Sequence, residues 1–146
     1  MKIALGCDHG ALEYKEILKK ELAEQGHTIQ DFGTYDKSSC DYPDYASAAA
    51  KSVANKENDR AIVICGTGIG VSIAANKVKG VRCALCSETL SAQLTREHND
   101  TNVLAMGQRI IGEEMMRAIV KVWLETPFSN GERHIIRINK LSKLED

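Results

Sequence analysis

The stretch RAIVICGTGIGVSIAANK (60–77) decides the fold. Its first six residues, 60–65, are an apolar run rich in β-branched side chains, as a strand buried on both faces requires. Three glycines within the next five residues, 66–70, interrupt the strand. VSIAANK (71–77) then resumes as a helix. Strand, glycine-rich turn and helix make a βα unit, and the flanking sequence repeats that unit.

Toward the N-terminus, KIALGC (2–7) is a short apolar run of strand type. Residues 11–25 follow, with Leu12, Tyr14, Ile17, Leu18 and Leu22 on one helical face and charges on the other. Gly26 closes that helix as a C′ residue. HTIQDF (27–32) alternates like a strand, and 33–42 is a loop rich in Gly, Asp and Ser. Pro43 marks a helix start, and the Ala-rich segment 44–56 is the helix. Toward the C-terminus, VRCALC (81–86) is a fourth strand and 87–99 a helix opened by Ser87, Glu88 and Thr89. TNVLAMG (101–107) is a fifth strand. GEEMMRAIVKVWLET (112–126) is amphipathic around Met116, Ile119, Val120 and Trp123. A last helical stretch, 132–144, carries Ile135, Ile138 and Leu141 at a spacing of three.

Five βα repeats and a C-terminal helix predict an α/β fold: a three-layer αβα Rossmann-like sandwich with a five-stranded parallel sheet. Such sheets bind ligands beyond the carboxyl ends of their strands, at a topological switch point. CDHG (7–10) and CGTGIG (65–70) close the first and third strands. Those strands are therefore expected to be neighbours, in a sheet whose order begins 2-1-3. No internal repeat, low-complexity tract or linker divides the 146 residues, so 1–146 is expected to be one domain.

Lys+Arg number 19 against 20 Asp+Glu, a net charge of −1, which argues against a nucleic-acid binder and against a polyanionic tail. No run approaches the roughly 18 apolar residues that span a membrane. MKIALGCDHG offers too short an apolar run for a signal peptide. Five cysteines, an odd count, do not suggest a disulfide framework, so a reduced, cytoplasmic protein is expected. Cys83 and Cys86 form a C-x-x-C, but on a strand they would point to opposite faces, and no second ligand pair follows. No metal site is expected, and these cysteines read as small apolar residues.

The glycine loop after strand three offers a nest of backbone N–H groups beside a helix N-terminus, suited to an anion or oxyanion. It lacks the terminal Lys-Ser/Thr of a Walker A loop and the full dinucleotide fingerprint. Cys65 stands directly before it, where a thiol can supply thiolate as base or nucleophile. Asp8 and His9 close the first strand, Asp8 as a candidate helix cap and His9 as a contact for a phosphate or a sugar hydroxyl. His98 and Asn99 end a helix, where the macrodipole favours a histidine and where His98 can act as general acid and base. Arg133 and Arg137 share a helical face and, with Arg109, can hold a phosphate through forked hydrogen bonds. Tyr42 in DYPDY can line a pocket; His27 has no such company, and His134 is ambiguous. A base, an oxyanion nest, a histidine and a set of arginines are what an aldose–ketose isomerase of sugar phosphates needs, with no redox cofactor or metal.

GCDHG (6–10), DYPDYA (41–46), ICGTGIGVSIAANK (64–77), CSE (86–88), SAQLTREHNDTNVLAMGQR (91–109) and ERHIIR (132–137) closely resemble type B ribose-5-phosphate isomerases. The wider family includes galactose-6-phosphate isomerase subunits and allose-6-phosphate isomerases. The resemblance implies that Cys65 is the proton-transferring base and His98 the group that opens the furanose ring. It implies that Gly66, Thr67, Gly68, Ile69 and Gly70 form the loop that stabilises the enediolate, with the Thr67 hydroxyl assisting. Asp8, His9, Tyr42 and Asn99 match substrate-contacting positions, and Arg109, Arg133 and Arg137 match the phosphate-binding arginines. Some relatives replace the cysteine base with a glutamate elsewhere; this chain has the cysteine form. The resemblance also implies a homodimer or dimer of dimers, with active sites across the subunit interface. Interconversion of D-ribose 5-phosphate and D-ribulose 5-phosphate is the activity expected. The alternatives are allose 6-phosphate or galactose 6-phosphate as substrate, or a phosphate-binding module without catalysis.

Overall fold

In the computed structural model, which describes residues 1–146, five parallel strands form one sheet. They are β1 (Lys2–Cys7), β2 (Thr28–Asp31), β3 (Arg60–Cys65), β4 (Cys83–Leu85) and β5 (Val103–Gly107), in the order β2-β1-β3-β5-β4. The expected 2-1-3 beginning is thus observed. The helices are α1 (Leu12–Glu24), α2 (Tyr42–Ala54), α3 (Ile69–Asn76), α4 (Thr89–Asn99), α5 (Glu113–Glu125) and α6 (Glu132–Ser142). None is long and apolar enough to cross a membrane.

Strand alternation sorts the core into two layers. Ile3, Leu5, Ile62, Ile64, Leu104 and Met106 face α1 and α5, meeting Leu18, Leu22, Met116, Ile119 and Trp123. Ala4, Ala61, Val63, Cys65, Val103 and Ala105 face α2 and α3. That second layer is built from small residues, including Ala46, Ala49, Ala50 and Ala75, so its helices lie close to the sheet. Each fully buried Ile, Leu or Met contributes roughly 1.5–3 kcal/mol, so the first layer carries most of the apolar stabilisation.

Most boundaries shift by a residue or two from the sequence expectation, and three of the shifts have a clear local cause. Tyr42 lies in the first turn of α2 rather than in the loop, because Asp41 takes the N-cap position and Pro43 fits the first turn. α4 starts at Thr89, capped by Glu88, whose carboxylate accepts the Ser91 N–H at 3.0 Å. β4 is only three residues long, and Cys86 falls outside it. Side chains take over its backbone bonds: Asn102 Oδ1 accepts the Arg82 N–H at 2.8 Å, and Asn76 Oδ1 accepts the Cys83 N–H at 2.8 Å. This edge strand is therefore blunted against further pairing. At the end of α1, Gly26 (φ 95°) is the expected C′ residue; its N–H donates to Ala23 and that of His27 to Leu22.

The turn after β2 is stapled to the end of β1. Cys7 N–H donates to the Gly33 carbonyl at 2.7 Å and Thr34 N–H to the Cys7 carbonyl at 2.8 Å. Beneath it, the fully buried Lys15 Nζ donates to both Asp31 carboxylate oxygens (2.8 and 2.9 Å) and to the Thr34 carbonyl. Burial alone would raise the Asp31 carboxyl; hydrogen bonds from Lys15, Gly33 and Lys19 outweigh it and hold the group below the ordinary carboxylate range.

Candidate active site

The carboxyl ends of β1, β3 and β5 converge on the glycine loop. Cys65 ends β3, paired with Gly107 of β5, and is 5% exposed. Its Sγ accepts the Gly68 N–H at 3.1 Å. That bond requires Gly68 to turn back at φ 78°, a left-handed conformation that glycine adopts without penalty. Thr67 Oγ1 accepts the Ile69 N–H at 3.2 Å, so its own hydroxyl hydrogen stays free to donate. The N–H groups of Gly66, Thr67 and Gly70 take no partner within the chain. Three unpaired amides at the start of α3, beside a thiol, form a cradle for an oxyanion.

Four further expected residues border this cradle. Asp8 Oδ1 accepts the Gly10 N–H at 2.9 Å, so it does cap the short turn His9–Ala11, and it does so within the site. His9 Nδ1 accepts the Cys40 N–H at 3.2 Å, which leaves the imidazole proton on Nε2. The Tyr42 ring packs on Gly70, so closely that a Cβ there would lie 2.6 Å from the ring. The Arg109 side chain lies along Gly66, and the Arg109 backbone N–H donates to the Gly66 carbonyl at 2.9 Å. Gln108, absent from the expected set, ties the neighbouring turn to α1 by accepting the Tyr14 N–H at 3.1 Å.

His98, Asn99, Arg133 and Arg137 are not brought to this cradle. α4 begins beyond the carboxyl end of β4 and runs 11 residues back, about 16 Å at 1.5 Å per residue. Its last turn therefore lies at the amino edge of the sheet, where the Asn99 carbonyl accepts Arg82 Nε at 2.8 Å. From the Ala61–Val103 pair to the Cys65–Gly107 pair the sheet is four residues deep, roughly 13 Å at 3.3 Å per residue. α6 starts beside the end of α4: Ser129 Oγ donates to the Glu97 carbonyl at 2.6 Å. His134, ambiguous in the sequence, stacks on His98 with ring centroids 4.5 Å apart and planes within 13°. Arg133 and Arg137 stand exposed on either side of it along α6. The expected site residues thus fall into two groups, one at the carboxyl ends and one at the amino ends of the strands.

Of the remaining cysteines, Cys7, Cys83 and Cys86 behave as apolar residues, while Cys40 Sγ lies 3.8 Å from His9 Nδ1. Burial pushes the Cys7 thiol up to about 12 and Cys86 to about 11, and raises Cys83 as well. No group of three or more His, Cys, Asp or Glu side chains is placed to hold a metal ion. His27 Nδ1 lies 3.2 Å from the N-terminal amine, a structural contact.

A model of the ribose/galactose isomerase family matches residues 3–141. The chain belongs to the ribose/galactose isomerase family. Within that family it is 48% identical over 144 residues to ribose-5-phosphate isomerase B of Escherichia coli, covering 99% of this chain and 96% of that one. The fold superposes on ribose-5-phosphate isomerase B of Clostridium thermocellum with a TM-score of 0.97, at 46% identity over 99% and 97% of the two chains. The Thermotoga maritima ribose 5-phosphate isomerase gives a TM-score of 0.94, also at 46% identity, over 97% of each chain. The relatives named are isomerases, and the match over nearly the whole chain makes this protein an isomerase of that family.

Proposed function

We propose that the protein interconverts D-ribose 5-phosphate and D-ribulose 5-phosphate through an enediolate, as a homodimer whose two sites each combine the half-sites of two protomers. The observation that carries the reaction is the thiol of Cys65 set among unpaired amides. The Cys65 thiolate takes the proton from C2 of the open-chain aldose, and the C1 carbonyl becomes an enediolate oxygen. The amides of Gly66, Thr67 and Gly70 and the Thr67 hydroxyl stabilise that charge. A proton passes from the O2 hydroxyl to the O1 oxygen, and Sγ, whose proton exchanges with solvent while the enediolate lives, returns a proton to C1; this gives the C2 ketone and the C1 hydroxyl, so no external oxidant or reductant enters the balance. His98 of the partner donates a proton to the ring oxygen and receives the one from the C1 hydroxyl, opening the furanose. Asp8, Tyr42 and Asn99 bind sugar hydroxyls; His9, Arg109, Arg133 and Arg137 hold the phosphate.

A second copy is supported by the depth of the sheet, roughly 13 Å along the β3–β5 ladder, which keeps the two groups of one chain apart. An exposed apolar patch beside the cradle supports it. Ile69 and Ile73, one turn apart on α3, are 53% and 54% exposed, and Leu85, which touches Gly68, is 42% exposed.

The test uses two substrates. Ribose 5-phosphate must be opened before it reacts; ribulose 5-phosphate, whose O5 carries the phosphate, is already acyclic. Cys65→Ala is expected to abolish both ribulose 5-phosphate formation and deuterium exchange at C1 of the ketose in D2O, with binding retained. His98→Asn is expected to impair the first far more than the second. Mixing the two dead variants in equal amounts is expected to restore about a quarter of wild-type activity, because half of randomly formed two-fold dimers are mixed and each holds one intact site. Near-wild-type turnover by Cys65→Ala refutes the assignment of the base, and no recovery on mixing refutes the shared site. Rates on allose 6-phosphate and galactose 6-phosphate measure how far the site discriminates by chain length.

A further inference from the structure

The stack of His134 on His98 is more than a packing contact. His134 is 7% exposed, in the first turn of α6. Three features hold its ring. The turn before it is bound to α4, with both the Ser129 hydroxyl and the Ser129 N–H donating to the Glu97 carbonyl. Gly131 leaves room beneath it: a Cβ at that position would stand 3.0 Å from His134 Cδ2. Arg133 Nε donates to His134 Nε2 at 3.5 Å, which puts the imidazole proton on Nδ1.

Resting on the roles given above to His98 and Arg133, we propose that His134 is a positioning residue: it fixes the plane of the His98 ring by stacking and ties it to the phosphate-binding Arg133. An imidazole at the end of a helix is otherwise free to rotate about two side-chain bonds. A flat partner at 4.5 Å removes that freedom. Desolvation, followed by the positive fields of His98, Arg133 and Arg137, holds His134 below the ordinary histidine range, so the partner ring is neutral at pH 7. With Nε2 occupied and the ring buried, His134 is not itself the acid. Meanwhile Arg133, engaged through Nε, keeps both terminal nitrogens for a forked contact with phosphate. Anchoring of the phosphate and aim of the ring-opening histidine therefore share one pivot.

The experiment compares wild type with His134→Leu, His134→Phe and Gly131→Ala. The readout is the ratio of ribose 5-phosphate turnover to deuterium exchange into ribulose 5-phosphate. His134→Leu is expected to lower ribose 5-phosphate turnover by about 10²-fold, the usual penalty for an ångström of misplacement, while exchange at saturation stays within a few-fold. His134→Phe keeps a flat ring and is expected to restore the ratio, while raising KM because Arg133 loses its acceptor. Gly131→Ala pushes the ring and is expected to lower the ratio in the same direction, by less. Independently of activity, the His98 ring protons, read by NMR, are expected to move downfield in His134→Leu and to stay in place in His134→Phe. A folded His134→Leu protein with an unchanged ratio overturns the proposal; should that variant not fold, an unchanged ratio in Gly131→Ala does so. A wild-type protein inactive on both pentose phosphates overturns the function instead, while the NMR shifts still report on the stack.

Discussion

Replacing Gly68 with alanine tests the cradle most directly. At φ 78° an L-residue costs about 1–2 kcal/mol. The new Cβ would stand 2.5 Å from Leu85 Cδ1 and 2.7 Å from the Met106 carbonyl carbon. The leucine can rotate away. Met106 cannot, because its backbone is registered against Ile64 in the β3–β5 ladder. Ordinary contact begins at 3.4 Å, so the loop must retreat by roughly 0.7 Å. That retreat lengthens the 3.1 Å bond from the Gly68 N–H to the Cys65 Sγ by up to about 0.7 Å, which weakens it, and misaligns the neighbouring amides. The expected result is a kcat lowered by about 10²-fold. Strain and overpacking together cost about 2–4 kcal/mol, which lowers Tm by roughly 5–15 °C in a chain of this size. Gly112→Ala is the control: no atom lies within 4 Å of its Cβ and φ is −76°, so both kcat and Tm should hold. The assay is a coupled measurement of ribulose 5-phosphate formation, with thermal melting by circular dichroism. A folded Gly68→Ala protein with kcat within about threefold of wild type refutes the view that loop geometry carries catalysis.

Asp31→Asn leaves the buried Lys15 ammonium with only the half-exposed Glu16 carboxylate, 3.3 Å away, and is expected to cost about 3 kcal/mol at pH 7, measured by urea unfolding. Because the folded-state pKa of Asp31 is depressed, its contribution is complete above the ordinary value of about 3.9 and fades as pH falls through the folded value; the gap between variant and wild type should therefore narrow below about pH 4, and a gap that widens there contradicts the assignment. Gly70→Ala places a Cβ 2.6–2.9 Å from three atoms of the Tyr42 ring, and the displaced phenol is expected to raise KM about tenfold with a smaller change in kcat; steady-state kinetics decide it, and an unchanged KM removes Tyr42 from the substrate contacts. Dialysis against EDTA is expected to leave turnover unchanged, because the proton shuttle needs only side chains and amides; a loss restored by a divalent cation contradicts the scheme.

The periodicity of the chain carried the architecture well. β1 and β3 have the expected boundaries to the residue, because both are unbroken apolar runs bounded by polar or glycine-rich turns. β4 was less legible: its length depends on side chains outside the strand, Asn76 and the more distant Asn102, which replace ladder bonds. The motifs offered candidate residues for the chemistry, but not which of them meet within one chain. The separation of His98 from Cys65 follows from the length of α4 and the parallel direction of the strands. The stacking of His134, by contrast, depends on the docking of α6 against α4, which no local pattern encodes. Nor does any local pattern show that the Cys40 amide sets the tautomer of His9.

The placement of the two groups of candidate residues at opposite ends of the strands, combined as proposed in a dimer, has an evolutionary consequence. In the proposed dimer every productive site takes one edge from each chain, so a single gene supplies both edges twice over. If the gene were duplicated, one copy could lose the thiol and the other the histidine, and the mixed pair would still hold one working centre. Selection on such a pair would then act on their association rather than on either chain alone. Keeping both edges in one reading frame avoids that dependence: any two copies that meet are competent, and expression need not be balanced between loci.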